Sequence, residues 1–200
     1  MRITVVFLTA LVFLVGCGSE QKIVVESLIA QTSTPSGKYL FAVVYENHAW
    51  ETTKKGLVIQ GNGDIYKFDA STTTEGLPES DTSSETELTR FFEAAQFEFV
   101  TNIQTSQFDY YRDLAQTLSN KTLADASTAC RDAGVYKYLV FQAIDLSNYR
   151  STLIYQTGDI RRVQSDIKAE ALKDFLITQA VLHGIVMKSD DEKENWCVGY

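Results

Sequence analysis

Four residues whose side chains could do chemistry lie close together near the end of a predicted strand: Glu46, His48, Trp50 and Glu51. Two carboxylates and an imidazole can bind a divalent metal or act as a general base. Alternate residues of an extended chain point to the same side, so Glu46, His48 and Trp50 would share one face. A metal site needs further ligands from elsewhere in the chain, and the sequence shows none. We therefore favour a polar loop in which Trp50 covers the core, with a metal or general-base cluster as the alternative.

The sequence lacks the other patterns that mark a catalytic centre. It contains no G-x-S-x-G or H-E-x-x-H motif, and so neither a nucleophile elbow nor a zinc-binding helix is recognisable. The remaining histidine, His183, lies in an apolar stretch that is typical of a core or helix-end position. Gly61-Asn62-Gly63-Asp64 has the composition of a tight turn and lacks the spacing of a calcium loop. The sequence thus predicts no catalytic residue, no metal and no cofactor, and it favours a protein that is not an enzyme.

The elements that would position these residues include two similar runs of three strands. The first run covers residues 39–45, 56–60 and 65–68, and the second covers 136–144, 151–156 and 159–163. Both runs are rich in β-branched and aromatic residues. Lys38-Tyr39-Leu40 recurs as Lys137-Tyr138-Leu139, so the halves 38–105 and 136–183 match a βββα duplication. Shared hairpin chemistry explains the same match without duplication, and both explanations stay open.

Helices are predicted after each run of strands. Ser84 and Glu87 form the S-x-x-E pattern of a capping box, which predicts a helix. Its buried side would carry Leu88, Phe91, Phe92 and Ala95, and would include Phe99 if the helix extends that far. Further helices are predicted over residues 107–119 and 123–133 and from Asp166 to about Leu182. The inward-facing residues predicted for the last helix are Ile167, Ala171, Leu172, Phe175, Leu176 and Leu182. The predicted fold class is α+β, with an antiparallel sheet built from two three-stranded meanders and helices packed on one face. A groove between the halves would be the natural ligand site.

The size, composition and charge of the chain limit the kinds of partner that it can bind. A chain of 200 residues with 44% hydrophobic residues can build one sizeable core. The formal net charge of −8 repels nucleic acid and anionic headgroups, which argues against nucleic-acid binding. Mild acidity otherwise serves solubility.

The N-terminal segment carries the most specific signal in the chain. Residues 3–15 are apolar apart from Thr4 and Thr9, and they lead into Leu14-Val15-Gly16-Cys17. This segment resembles the lipobox signal of bacterial lipoproteins. The resemblance implies that residues 1–16 are a signal peptide and that Cys17 is lipidated after cleavage. A plain secretory signal and an uncleaved anchor are the alternatives, although the run is shorter than the roughly 20 apolar residues of a spanning helix.

The same resemblance implies where the protein is located. It places the protein in the bacterial cell envelope, lipid-anchored on the extracytoplasmic side, and Gly18 suits outer-membrane sorting in a Gram-negative host. Residues 17–37 would then be the lipidated tether and lead-in, and 38–200 a single α+β domain. Cys130 and Cys197 remain as an even pair outside the cytoplasm, where disulfides persist. We expect a bridge between them, with two separate buried thiols as the alternative.

These features favour a binding or interaction module of the cell envelope. The expected partners are the membrane, through the lipid anchor, and an envelope protein. A carrier of a small or lipidic ligand in an aromatic groove is the first alternative. A metal-dependent hydrolase centred on Glu46, His48 and Glu51 is the least favoured, because histidines are few and neither a G-x-S-x-G nor an H-E-x-x-H pattern exists.

Overall fold

The computed structural model describes residues 37–49, 52–73, 77, 82–119, 121, 123–128 and 133–185. In chain order the elements are β1 (Tyr39–Asn47), β2 (Thr53–Gln60), β3 (Asp64–Asp69), β4 (Thr82–Ser84), α1 (Glu85–Ala94), β5 (Gln96–Asn102), α2 (Thr105–Gln116), β6 (Ser127–Thr128), β7 (Val135–Ala143), β8 (Asn148–Gly158), β9 (Ile160–Val163) and α3 (Ile167–Leu182). Several residues singled out in the sequence lie outside the described ranges: Cys17, Trp50, Glu51, Cys130 and Cys197. Their lipidation, disulfide and cluster roles therefore stay predictions.

The strands form an antiparallel sheet in the order β5-β3-β2-β1-β7-β8-β9-β6. The meanders β1-β2-β3 and β7-β8-β9 join where β1 pairs with β7, with Phe41 opposite Val140. On its outer side β8 pairs with β4 near its beginning and with β9 near its end. This arrangement confirms the predicted α+β class and the sheet built from two meanders.

Both faces of the central strands are buried. In β1, Phe41 and Val43 point to one face, and Ala42 and Val44 point to the other. We call the first the front face, which α2 and α3 cover, and the second the back face, which α1 covers. The expectation of helices on one face thus holds for α2 and α3, whereas α1 packs on the other. The reason is that β1 is apolar on both faces, and each face must be removed from water.

Side-chain caps start two of the helices where the sequence predicts them. Ser84 Oγ accepts from the Glu87 N–H, and Glu87 Oε2 accepts from the Ser84 N–H. These two hydrogen bonds complete the capping box of α1. Asp166 caps α3 by accepting from the Lys168 N–H at 2.9 Å. The inward positions predicted for Ile167 and Leu182 are wrong, because these first and last residues of α3 are 81% and 69% exposed.

The helix predicted over 123–133 is wrong for the residues described there. Leu123 forms a bridge with Gln164, and Ser127 and Thr128 pair with β9. Pairing with a distant strand outweighs the local helical pattern. Within the described ranges, no helix is both long and apolar enough to cross a bilayer.

Candidate functional site

The carboxylate of Glu46 lies between two lysine side chains. Its Oε2 is 2.8 Å from Lys137 Nζ, and its Oε1 is 3.8 Å from Lys54 Nζ. The register of the sheet produces this contact, because β2 places Lys54 directly opposite Glu46 and β7 runs along the other side of β1. Only 14% of the Glu46 side chain is exposed, so the pair is partly desolvated.

His48 does not join this ion pair. It follows β1 in an exposed position, and Trp50 and Glu51 lie outside the described residues. Across the parts of the chain that the structure describes, no group of three or more His, Cys, Asp or Glu side chains could hold a metal. The metal or general-base cluster stays a prediction. Its first carboxylate, Glu46, already forms ion pairs with Lys54 and Lys137.

The other histidine takes a structural position. His183 follows the last residue of α3, where its backbone N–H donates to the Gln179 carbonyl at 3.0 Å. Burial lowers the pKa of His183, and the nearby charge of Lys67 lowers it further, so the imidazole is neutral at neutral pH.

The two edges of the sheet differ. At one edge β9 is covered by β6, with Ser127 opposite Arg161. At the other edge β5 pairs with β3 on its inner side, and within the described ranges no strand pairs with its outer side. The outward backbone N–H and C=O groups of an edge strand can pair with another chain. The seven residues of β5 therefore form an open edge.

The open edge carries an exposed aromatic surface on the back face. The alternation Gln96-Phe97-Glu98-Phe99 places both phenylalanines on one side of β5. Phe97 is 37% exposed and Phe99 56% exposed. Tyr66 of β3 stacks on Phe97 at 4.6 Å and meets the edge of Phe99 at 5.5 Å between ring centroids. We call Tyr66, Phe97 and Phe99 the aromatic edge.

The aromatic edge is held by the fold behind it. Phe92 of α1 lies 5.8 Å from Phe97, and it is itself buried in the core of the back face. The rings are therefore fixed before any partner arrives, which lowers the entropy cost of binding.

The opposite side of β5 contains the features that limit indiscriminate pairing. Glu98 lies opposite Lys67 in β3 and is exposed. A register shift leaves Val100 between the pairs formed by Phe99 and Thr101, which is a β-bulge. A charge and a bulge are the usual devices that keep an edge strand from aggregating.

A shallow groove lies between α2 and α3. Its volume is about 340 Å³, and its lining includes Gln107, Tyr110, Tyr111, Asp174, Phe175 and Gln179. Tyr111 and Phe175 stack on each other at 4.0 Å, so each covers one face of the other's ring. Tyr110 is 58% exposed and is the aromatic ring most available to a ligand.

Buried polar side chains hold the segment that follows α2. Gln142 Nε2 donates to the carbonyls of Ala115 at 2.9 Å and Leu118 at 3.0 Å. Gln164 Nε2 donates to the Lys121 carbonyl at 3.0 Å, and Asp166 accepts from the Ser119 hydroxyl. The hydrogen bond from Ser119 lowers the pKa of Asp166, with the Lys168 N–H and the charge of Lys121 acting in the same direction. These groups stabilise the fold.

In comparisons with known proteins, no protein-family model matches the sequence, no curated protein matches it significantly, and no solved structure matches its fold significantly. The open edge was not predicted from the sequence, because Phe99 was assigned to the buried side of the first predicted helix. The period-two alternation from Gln96 to Phe99 was the signal that could have revealed a strand.

Proposed function

We propose that this protein is a lipid-anchored module of the bacterial cell envelope that binds an extended segment of another envelope protein along β5. The observation that carries the proposal is the open edge of β5 with its exposed aromatic edge. The lipobox resemblance supports the location, through lipidation of Cys17. Addition of a strand to an exposed sheet edge is a common mode of peptide recognition.

The geometry of β5 defines the segment it would accept. Seven residues of strand extend about 23 Å, which is enough for a short ladder of backbone hydrogen bonds. Alternate side chains of the partner would then lie over the aromatic edge, where apolar and aromatic groups fit. The intervening side chains would lie beside Glu98, where a lysine or arginine fits best.

The whole-chain charge agrees with this choice of partner. A net charge of −8 favours encounter with a basic segment over an acidic one. The partner is therefore an extended segment that alternates apolar and basic residues.

Alanine substitutions of two exposed aromatic residues test the site. Phe99→Ala removes the most exposed ring of the aromatic edge, whereas the matched control Tyr110→Ala removes an exposed ring from α2. After crosslinking in intact cells and purification of the tagged, full-length protein, Phe99→Ala should lower partner yield about tenfold. Tyr110→Ala should leave the yield unchanged.

Two results would contradict the proposal. One is an unchanged partner yield in Phe99→Ala, measured on protein whose unfolding curve shows that it is folded. The other is an equal loss of yield in both variants.

A second candidate function is a carrier of a small or lipidic ligand. The aromatic groove between α2 and α3 is the specific observation that favours it. Native mass spectrometry of the purified protein should then find a bound small molecule that Tyr110→Ala removes. Protein without a bound molecule in both forms contradicts the carrier.

A further inference from the structure

Gly37 and Lys38, which precede β1, lie beside the turn that joins β7 to β8. The Lys38 N–H donates to the hydroxyl of Tyr149 at 2.7 Å, and Tyr149 lies at the beginning of β8. Burial raises the pKa of Tyr149 to about 12, and its bond to Glu85 adds to this rise, so the hydroxyl stays protonated and donates to Glu85 Oε2 at 3.0 Å. A Cβ at Gly37 would overlap the Tyr149 ring, so this close approach requires glycine. The chain is thus fixed where it enters the sheet.

Two apolar side chains project from that turn. Leu146 is 83% exposed and Ile144 is 50% exposed. We call residues 144–147 the hairpin tip. Single exposed apolar residues are ordinary on a protein surface, but two at the tip of one short turn form a small exposed apolar patch.

The hairpin tip is held rigidly by polar contacts beneath it. Asp145 Oδ1 accepts from the N–H groups of Ser147 at 2.8 Å and Asn148 at 2.9 Å. The Ser147 carbonyl accepts from the Glu85 N–H at 2.7 Å, which ties the tip to the start of α1. The polar groups of the turn are therefore bonded inward, while Ile144 and Leu146 extend outward.

We propose that the hairpin tip inserts Leu146 and Ile144 into the interface of the bilayer that carries the lipid anchor. This inference rests on the lipid anchoring in the proposed function and adds an orientation to it. The twenty residues from Cys17 to Ser36 separate the lipid from the point where the chain enters the sheet. Fully extended they span at most about 70 Å, so the anchor holds the neighbouring hairpin tip at a high effective concentration near the membrane. A weak apolar contact is then sufficient to keep the hairpin tip at the bilayer surface.

The charges around the tip specify the kind of lipid surface. Asp145 lies within the tip, Glu85 and Glu87 lie at the start of α1, and Lys38 and Arg150 are the nearby cations. The acidic groups are repelled by anionic headgroups, so the contact is apolar rather than electrostatic. The occupant is a bilayer rich in neutral phospholipid.

Depth-dependent quenching on the lipidated, full-length protein tests this contact. The protein is reconstituted into vesicles of neutral phospholipid that contain nitroxide-labelled lipid. A fluorescent amino acid replaces Leu146, or replaces the exposed His48 at the far end of β1, about 30 Å away, as the matched control. We expect quenching at position 146 to exceed that at position 48 several-fold, and to fall when anionic lipid is added.

The possible failures are distinguishable. Equal quenching at both positions, on protein that floats with the vesicles, overturns the tip contact and leaves the anchor intact. Failure to float, with Cys17→Ser as the reference for protein that lacks the anchor, contradicts lipidation itself. Loss of the β5 partner in Phe99→Ala is independent of both results.

Discussion

Asp166 shows how one carboxylate can join two segments of the chain through three contacts. It caps α3, accepts from the Ser119 hydroxyl after α2, and lies 3.7 Å from Lys121 Nζ. These contacts favour the ionised carboxylate, so folding lowers its pKa. The unfolded chain then binds this proton more tightly than the folded protein does. The stabilisation is complete above the ordinary pKa of about 3.9 and is lost as the pH falls below it.

Substitution of Asp166 should therefore change the pH dependence of stability. Asp166→Asn keeps a side chain that can cap a helix but cannot ionise. We expect it to lower the free energy of unfolding by about 1 kcal/mol at pH 7 and to lose less stability than the wild type between about pH 4 and pH 2. Urea unfolding across this range measures both effects, and Asp125→Asn, at an exposed position, is the control. An unchanged pH profile would contradict the assigned role.

Glu46 illustrates why residue type and spacing alone do not identify a site. Its position near His48 was readable in the sequence, but its two lysine partners come from β2 and β7. Lys137 is 91 residues away in the chain, so only the strand register reveals the contact. The ion pair joins three neighbouring strands at the end of the sheet.

At the scale of elements, the last turn of α2 depends on a side chain from β7. The final carbonyls of a helix have no partner within the helix. The buried amide of Gln142 supplies donors to the carbonyls of Ala115, Gln116 and Leu118. This contact was not readable from the local sequence of α2.

Removal of the Gln142 amide should weaken the whole fold through this helix end. Gln142→Met keeps the length of the side chain and removes the amide donor from the three carbonyls. Among the described residues, only the Ala115 carbonyl of these three also accepts from the Leu118 N–H. The expected loss is about 1–3 kcal/mol in the free energy of unfolding, as for buried acceptors left unsatisfied. Chemical unfolding measures the loss, and Gln107→Met, on the exposed side of α2, should change stability little. Equal stability of both variants would show that the cap contributes nothing.

The two meanders are related by an approximate rotation within the sheet. β1 and β7 are antiparallel neighbours, so a rotation that superimposes the meanders has its axis perpendicular to the sheet. Such a rotation leaves the faces unchanged, yet α1 lies on the back face and α3 on the front face. Tyr39 and Tyr138, which match in the repeat, also point to opposite faces. Shared hairpin chemistry explains the sequence match without a duplication that includes the helices.

The strands and two helix caps were predictable because their signals are local. Alternation, turn residues and capping patterns act within a few residues of the elements they define. By contrast, β5 and β6 form by pairing with β3 and β9, and this pairing depends on distant partners. The candidate site falls in the second group, which is why the sequence indicated a general interaction module but not its edge.

For the whole molecule, the open edge and the hairpin tip occupy compatible positions. Asn102 at the end of β5 pairs with Asp64, which follows the turn where the Gly61 N–H donates to the Lys38 carbonyl. β5 therefore runs toward the end of the sheet where the chain enters and the hairpin tip projects. With that end against the bilayer, β5 would lie roughly perpendicular to the membrane plane. Its open edge would remain accessible to a partner on the aqueous side.

A photocrosslinking scan along β5 in intact cells tests the central claim most directly. A crosslinking amino acid is placed at each position from Gln96 to Thr101, with Ser127 of the two-residue strand β6 at the other side of the sheet as the control position. Because side chains along a strand alternate between faces up to the β-bulge at Val100, binding of an extended segment predicts one partner whose adduct yield alternates with a period of two from Gln96 to Phe99. The control position should give no such adduct. Absence of adducts along β5, in cells where other exposed positions crosslink to a partner, would contradict the account.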